Sequence, residues 1–111
     1  ELWRIFRFAR TNGMITRGLS QKEHVFETVD NKHLHRIRST NGLFDSDVSV
    51  VFSKTGYTDE AGYALGSVVR TQNNHELTII VLGASSLTVR TDDTLNLLTW
   101  AETAYDWGGE L

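Results

Sequence analysis

Hydrophobic positions in the first ten residues recur with helical spacing. Leu2, Ile5, Phe6 and Ala9 fall on one stripe, while Arg4, Arg7 and Arg10 recur every third residue on another side. The pattern predicts an amphipathic helix ending near Asn12-Gly13, laid on a core by its apolar stripe rather than on a membrane surface. The next stretch, "MITRGLSQKEHVFETVDNKHLHRIRSTNGLF", mixes short alternating pieces with turn residues at Gly18, Asp30-Asn31 and Asn41-Gly42. It predicts irregular chain with short strands near 24–29 and 33–37.

From Asp47 the pattern becomes β-rich. The runs "VSVVF", "GYALGSVVR" and "ELTIIVLGA" are joined by "YTDEA" and "TQNNH", both short enough for hairpins, and so predict an antiparallel meander. The third run is apolar on both faces, with Leu77, Ile79 and Val81 on one and Ile80 and Leu82 on the other, so helices are expected to cover both sides. A last helix is expected with Thr91 as its cap, Asp92 and Asp93 in its first turn, and Leu97, Trp100, Ala101 and Ala104 as its stripe. Gly108-Gly109 would end it. The fold class that follows is α+β, an antiparallel meander flanked by N-terminal and C-terminal helices, in a single domain over 1–111.

Composition narrows the function classes. The chain has 111 residues, 40% hydrophobic and 23% charged, enough apolar matter for one core. No run approaches the roughly eighteen apolar residues of a membrane helix. The opening "ELWRIFRFAR" lacks the uninterrupted apolar core of a secretory signal, so any export signal would lie outside these residues. With no Cys there are no disulfides or thiolate metal sites, which fits reducing and oxidising compartments alike. Residues 1–40 hold eight Lys/Arg against four Asp/Glu, and residues 41–111 three against ten. The basic third has its cations spread singly, without an aromatic RNA-binding signature, so it reads as a solvated helix face and not as a nucleic-acid site.

The stretch "SKTGYTDEAG" (Ser53 to Gly62) carries the most chemistry. Lys54, Thr55 and Gly56 close the first long strand just before a turn, with Lys54 and Gly56 pointing one way and Thr55 the other. An ammonium, a hydroxyl and a glycine that admits a ligand close to the backbone suit a carboxylate held along a strand edge. A phosphate loop is excluded: that motif needs glycines before a GK[ST] and then a helix, whereas here the glycine follows the Lys and a strand comes next. His24, His33 and His35 show no third-ligand pattern and read as surface or half-buried histidines, with no metal and no cofactor expected. Asp59-Glu60 and Asp92-Asp93 sit in a hairpin turn and a helix start, where acids are expected for structural reasons.

The wider string, "TNGLF", eight residues, "SKTGYTDEAGYALGSVVR", a polar turn, "LTIIVLGA", then a helix with "LLTW", resembles the C-terminal part of the serine-type D-alanyl-D-alanine carboxypeptidases, penicillin-binding enzymes of the β-lactamase/transpeptidase-like group. The resemblance runs from about Ser39 to Tyr105. Its alanine-glycine-aromatic entry into the next strand sets this family apart from class A β-lactamases. The resemblance implies a five-stranded antiparallel sheet with helices on both faces, of which the last three strands and last helix would match 48–55, 62–71, 76–84 and 91–106. It further implies that Lys54 and Thr55 bind the terminal carboxylate of a D-Ala-D-Ala peptide or β-lactam, that Gly56 allows close approach, and that the backbone N–H of Tyr57 faces the oxyanion. It places the parent enzyme in peptidoglycan maturation, at the periplasmic or extracytoplasmic face of a bacterial membrane.

That family's acyl transfer needs an S-x-x-K nucleophile and an S-x-N. No serine here has a Lys three residues later. Ser39-Thr40-Asn41 spells S-x-N, but it lies where the family has an Asn-rich segment and reads as a coincidence. The family's Gly-Ile before K-T-G is Phe52-Ser53 here. The expectation is therefore a fragment that carries the carboxylate wall, is catalytically inactive alone, and either self-associates or pairs with a missing N-terminal part of the domain. The alternative is a non-catalytic small α+β binding or structural domain that retains the K-T-G strand.

Overall fold

Residues 1–107 are described by a computed structural model. Helices α1 (Leu2–Arg10) and α2 (Gly13–Leu19) precede strands β1 (Glu23–Glu27) and β2 (Leu34–Arg38) and a 3-10 turn at Gly42–Asp45. Strands β3 (Ser49–Thr58), β4 (Gly62–Arg70) and β5 (Glu76–Ala84) then lead into α3 (Leu87–Ala104). Two sheets result among these residues: the hairpin β1-β2 and the antiparallel meander β3-β4-β5. The five strands implied by the resemblance are thus represented in the main sheet by three.

Thr11 closes α1 and the next residue, Asn12, opens another helix. The Asn12 side chain accepts from Met14 N at 3.0 Å and Ile15 N at 3.1 Å and so caps α2, a helix the hydrophobic pattern did not predict. Gly62 turns the chain between β3 and β4 with φ of 72°, and an added Cβ there would sit 2.9 Å from Ala84 O, so only glycine fits.

The core lies between one face of the meander and α3. Leu65 and Val69 of β4, Ile79 and Val81 of β5, Leu43 and Leu98 enclose it. On the opposite face α1 lays Phe6 over Gly66, whose notional Cβ would stand 2.1 Å from Phe6 Cζ. Cover of the sheet is incomplete along β5, where Ile80 is half-buried and Leu82 remains 65% exposed. On α1, Phe6 and Ala9 are half-buried while Ile5 is exposed, so the predicted stripe seats only by its inner residues.

Helix α3 differs from expectation in both its start and its buried face. Ser86 caps it, accepting from Val89 N at 3.1 Å, while Thr91 sits inside the helix with its hydroxyl on Leu87 O at 3.1 Å. Asp92 and Asp93 therefore lie in the second turn. The β-branched "LTV" following two serines reads as extended chain, yet a serine cap is sufficient to start the helix there. The buried stripe is Arg90, Thr94 and Leu98, and Leu97 and Trp100 face outward. Reading the apolar side as the inner one fails because the guanidinium of Arg90 is buried for its hydrogen bonds. The helix ends at Ala104, before an extended Tyr105, and the predicted Gly108-Gly109 stop lies outside the described residues.

The β1-β2 hairpin, registered Glu23 with Arg38 through Glu27 with Leu34, is exposed along both strands. Its ladder is continued at the base by Ser39 N to Lys22 O at 2.7 Å, and it is tied back by Asp45, which meets Lys22 Nζ and Arg38 Nη2 at 2.8 Å each. The molecule measures 55 × 37 × 27 Å with a radius of gyration of 15.8 Å, above the roughly 13 Å of a spherical domain this long.

Candidate functional site

Strand β3 is an edge strand of the meander, paired on one side to β4. Its register sets Lys54 opposite Gly66 and Thr55 opposite Leu65, so the two side chains leave opposite faces of the pleat, as the spacing predicts. The Lys54 ammonium nevertheless curls back along the strand and donates to Thr55 O. Lys54 and Thr55 thus both line one cavity of about 590 Å³. Its other walls include Gly18 and Leu19 of α2, Glu23, His24, Ile37 and Arg38 of the hairpin, and Ser39 and Thr40.

The segment before β3 is bolted in place from two sides. Asn41 is 2% exposed, accepts from Leu43 N at 3.0 Å, and donates through Nδ2 to Ser53 Oγ at 2.7 Å. From α3, Arg90 donates through Nη2 to Thr40 O at 2.9 Å and through Nη1 to Ala64 O at 3.3 Å. Arg90 is itself 2% exposed, its Nε lacks a partner, and burial pushes its pKa down. No carboxylate among the described residues pairs with it in an ion pair. These contacts bring Thr40 Oγ1 to 3.2 Å from Thr55 Oγ1.

Beyond the cavity, a notional Cβ on Gly56 would meet Ala64 Cβ in ordinary contact at 3.8 Å, with no clash. Tyr57 lies against Tyr63 with centroids 4.4 Å apart and donates to Asp59 Oδ1 at 2.7 Å, a bond that holds the phenol proton and raises its pKa. Asp59 is occupied in this turn contact. On the hairpin, His24 and His35 stack on either side of Phe26 at 6.3 and 5.3 Å, and among the described residues no three His, Cys, Asp or Glu side chains come together for a metal. No described helix is long and apolar enough to cross a membrane.

Of the residues singled out in the sequence, the structure brings Lys54 and Thr55 to one cavity and leaves Gly56 and Tyr57 just past it. Sequence reasoning missed Arg90 and the structural work of Thr40 and Asn41. The available signal was a lone Arg on an otherwise acidic helix segment, "TVRTDD", and an S-T-N triplet set aside as chance.

No protein-family model matches the chain. It is 30% identical over 82 residues to the D-alanyl-D-alanine carboxypeptidase DacA of Haemophilus influenzae, a match covering 71% of this chain and 21% of that protein. Among solved structures it is similar to a D-alanyl-D-alanine carboxypeptidase from Mycobacterium tuberculosis, with TM-score 0.75, 19% identity and coverage of 96% of this chain and 40% of the other. Penicillin binding protein 5 of Haemophilus influenzae superposes with TM-score 0.67 and 28% identity, over 85% of this chain and 26% of that one. The chain thus spans about a fifth of the curated relative it matches. These likenesses, together with the meander and its flanking helices, show that the chain is related to the D-Ala-D-Ala carboxypeptidase/DD-transpeptidase family and adopts part of the transpeptidase fold.

Proposed function

We propose that this chain is the C-terminal portion of the catalytic domain of a serine-type D-Ala-D-Ala carboxypeptidase, and that it supplies the wall holding the terminal carboxylate of a D-Ala-D-Ala peptide or a β-lactam. The observation that carries this reading is the convergence of Lys54 and Thr55, from opposite faces of an edge strand, on one cavity. The ammonium gives a mobile point charge and the hydroxyl a directed donor, a pairing matched to a carboxylate. Buried Arg90 adds positive potential behind Thr40, and Gly56 leaves room for a ligand to reach the backbone, where Tyr57 N–H is the oxyanion donor by resemblance. The whole enzyme works in peptidoglycan maturation at the extracytoplasmic face of a bacterial membrane. Alone the chain is inactive, because it holds no S-x-x-K; mixing with an N-terminal piece that bears one restores activity.

A second reading, a non-catalytic α+β binding domain, draws on the core that β4, β5, α3 and Leu43 enclose. Titration with N-acetyl-D-Ala-D-Ala separates the two: weak reversible binding that disappears in Lys54→Ala supports the carboxylate wall, and equal behaviour of the two chains favours the scaffold. Covalent labelling of the isolated chain by a fluorescent penicillin would overturn the absence of a nucleophile.

A further inference from the structure

The contact between Thr40 and Thr55 has a direction that a carboxylate would choose. Each hydroxyl carries one proton and can accept from others. At 3.2 Å between the two Oγ1 atoms, one proton is spent within the pair and the other remains free. If Thr55 donates to Thr40, it has nothing left to donate outward. If Thr40 donates to Thr55, the Thr55 proton turns to the cavity, and accepting a bond makes it a stronger donor. A carboxylate only accepts, so its arrival selects the second arrangement.

We propose that Thr40 is a positioning residue for the carboxylate site, donating to Thr55 so that the Thr55 hydroxyl is aimed at the ligand. The inference rests on the carboxylate-wall reading above. Three features of the structure fit it. Thr55 is the hydrogen-bond partner of the Thr40 hydroxyl among the described residues. The Thr40 backbone is pinned by the buried Arg90 guanidinium at 2.9 Å, so the hydroxyl is presented from a fixed point. The adjoining Asn41, buried and bonded to Ser53 of β3, locks the segment in register with the strand that carries Thr55. Arg90 thereby acts on the ligand through Thr40, at one remove. The relay also gives the site a preference: a free carboxylate satisfies the outward proton, while a neutral carboxamide accepts it more weakly and brings N–H groups toward Lys54.

The test compares N-acetyl-D-Ala-D-Ala with its C-terminal amide, by NMR titration of the full chain and of Thr40→Val, Thr40→Ser and Lys54→Ala. Thr40→Val is expected to weaken binding of the acid about three- to tenfold, the worth of one neutral hydrogen bond, and to leave the amide unchanged. Thr40→Ser should restore the acid to within about twofold. Thr40→Ala, which removes the hydroxyl without a bulkier substitute, should repeat the loss, and thermal unfolding of each variant establishes that it is folded. No binding by the unaltered chain, or undiminished binding by Lys54→Ala, overturns the carboxylate wall and this inference with it. Loss in Lys54→Ala with none in Thr40→Val and Thr40→Ala, or failure of Thr40→Ser to rescue, overturns the role of Thr40 alone.

Discussion

Phe6 of α1 stacks on Phe52 of β3 with ring centroids 5.6 Å apart and planes 10° from parallel, and it does so over Gly66. This ring helps seat the helix, together with Ala9 and the Arg10–Glu76 ion pair, and it fits because β4 has no side chain at that point. Gly66→Ala is expected to expel Phe6 from its position, costing about 1–3 kcal/mol as an overpacked contact. Urea unfolding monitors it, with Gly56→Ala, whose notional Cβ meets nothing closer than 3.8 Å, as the control that stays near the unaltered stability.

Asn41 shows the opposite economy, one side chain serving two partners. Asn41→Ala is expected to strand Leu43 N and Ser53 Oγ, in a place where Asn41 is 2% and Ser53 6% exposed. The expected loss is about 2–3 kcal/mol, set by the penalty for buried groups left without partners. Asn41→Asp, which retains the acceptor for Leu43 N but loses the donor to Ser53, should fall between, and the midpoint of denaturant unfolding ranks the three.

Asp45 ties the hairpin down, and its attachment is pH-dependent. The hydrogen bond and charge of Lys22, followed by the charge and hydrogen bond of Arg38, hold its carboxyl below the ordinary value of 3.8. A carboxylate with a lowered folded pKa contributes its stabilisation above the unfolded value and loses it as pH falls through the folded one. The hairpin is therefore expected to stay docked above about pH 4 and to loosen below 3.8. Amide exchange over 23–38 as a function of pH reads this directly. Since the three side chains are well exposed, raising salt toward 1 M should weaken the same contact at neutral pH.

Leu82, at 65% exposure, faces a groove completed by Ile80 and by Leu97 and Trp100 of α3. β5 is also the second edge of the meander among the described residues, so apolar surface and unpaired backbone lie together. The isolated chain is expected to self-associate at this edge, with sedimentation coefficients that rise with concentration. Leu82→Lys, placing a charge in the groove, should return it to a monomer while leaving the unfolding midpoint at low concentration unchanged.

How much of this was written in the sequence depended on whether local pattern and tertiary contact agreed. β3, β4 and β5 have strongly alternating or apolar runs bounded by turn residues, and β4 and β5 were legible nearly to the residue, whereas β3 continues past the expected turn, through Tyr57 to Thr58. The K-T-G strand and the pleat that separates Lys54 from Thr55 were legible for the same reason. What could not be read was the curl of the Lys54 side chain back toward Thr55, because that depends on conformation beyond the Cβ. The buried face of α3 was misread since Arg90 is satisfied by two carbonyls from distant segments, Thr40 O and Ala64 O, a kind of contact that leaves no periodic trace. The start of α3 was misread because two competing caps, Ser86 and Thr91, lie within six residues and local pattern ranked the wrong one first. The identity of Thr40 as a neighbour of Thr55 depended on both.

The exposed hairpin has a thermodynamic consequence. Its strands bond to each other, down to Ser39 N and Lys22 O at the base, and a pair of exposed ion pairs on Asp45 ties it to the rest. Each such ion pair contributes little. The meander and α3, by contrast, share a single core. The chain should therefore melt as two cooperative units rather than one, the hairpin opening at a free energy well below the global value. Because His24, Ile37 and Ser39 bring that hairpin to the cavity beside Lys54 and Thr55, a ligand seated there would also be expected to raise the melting point of the weaker unit selectively.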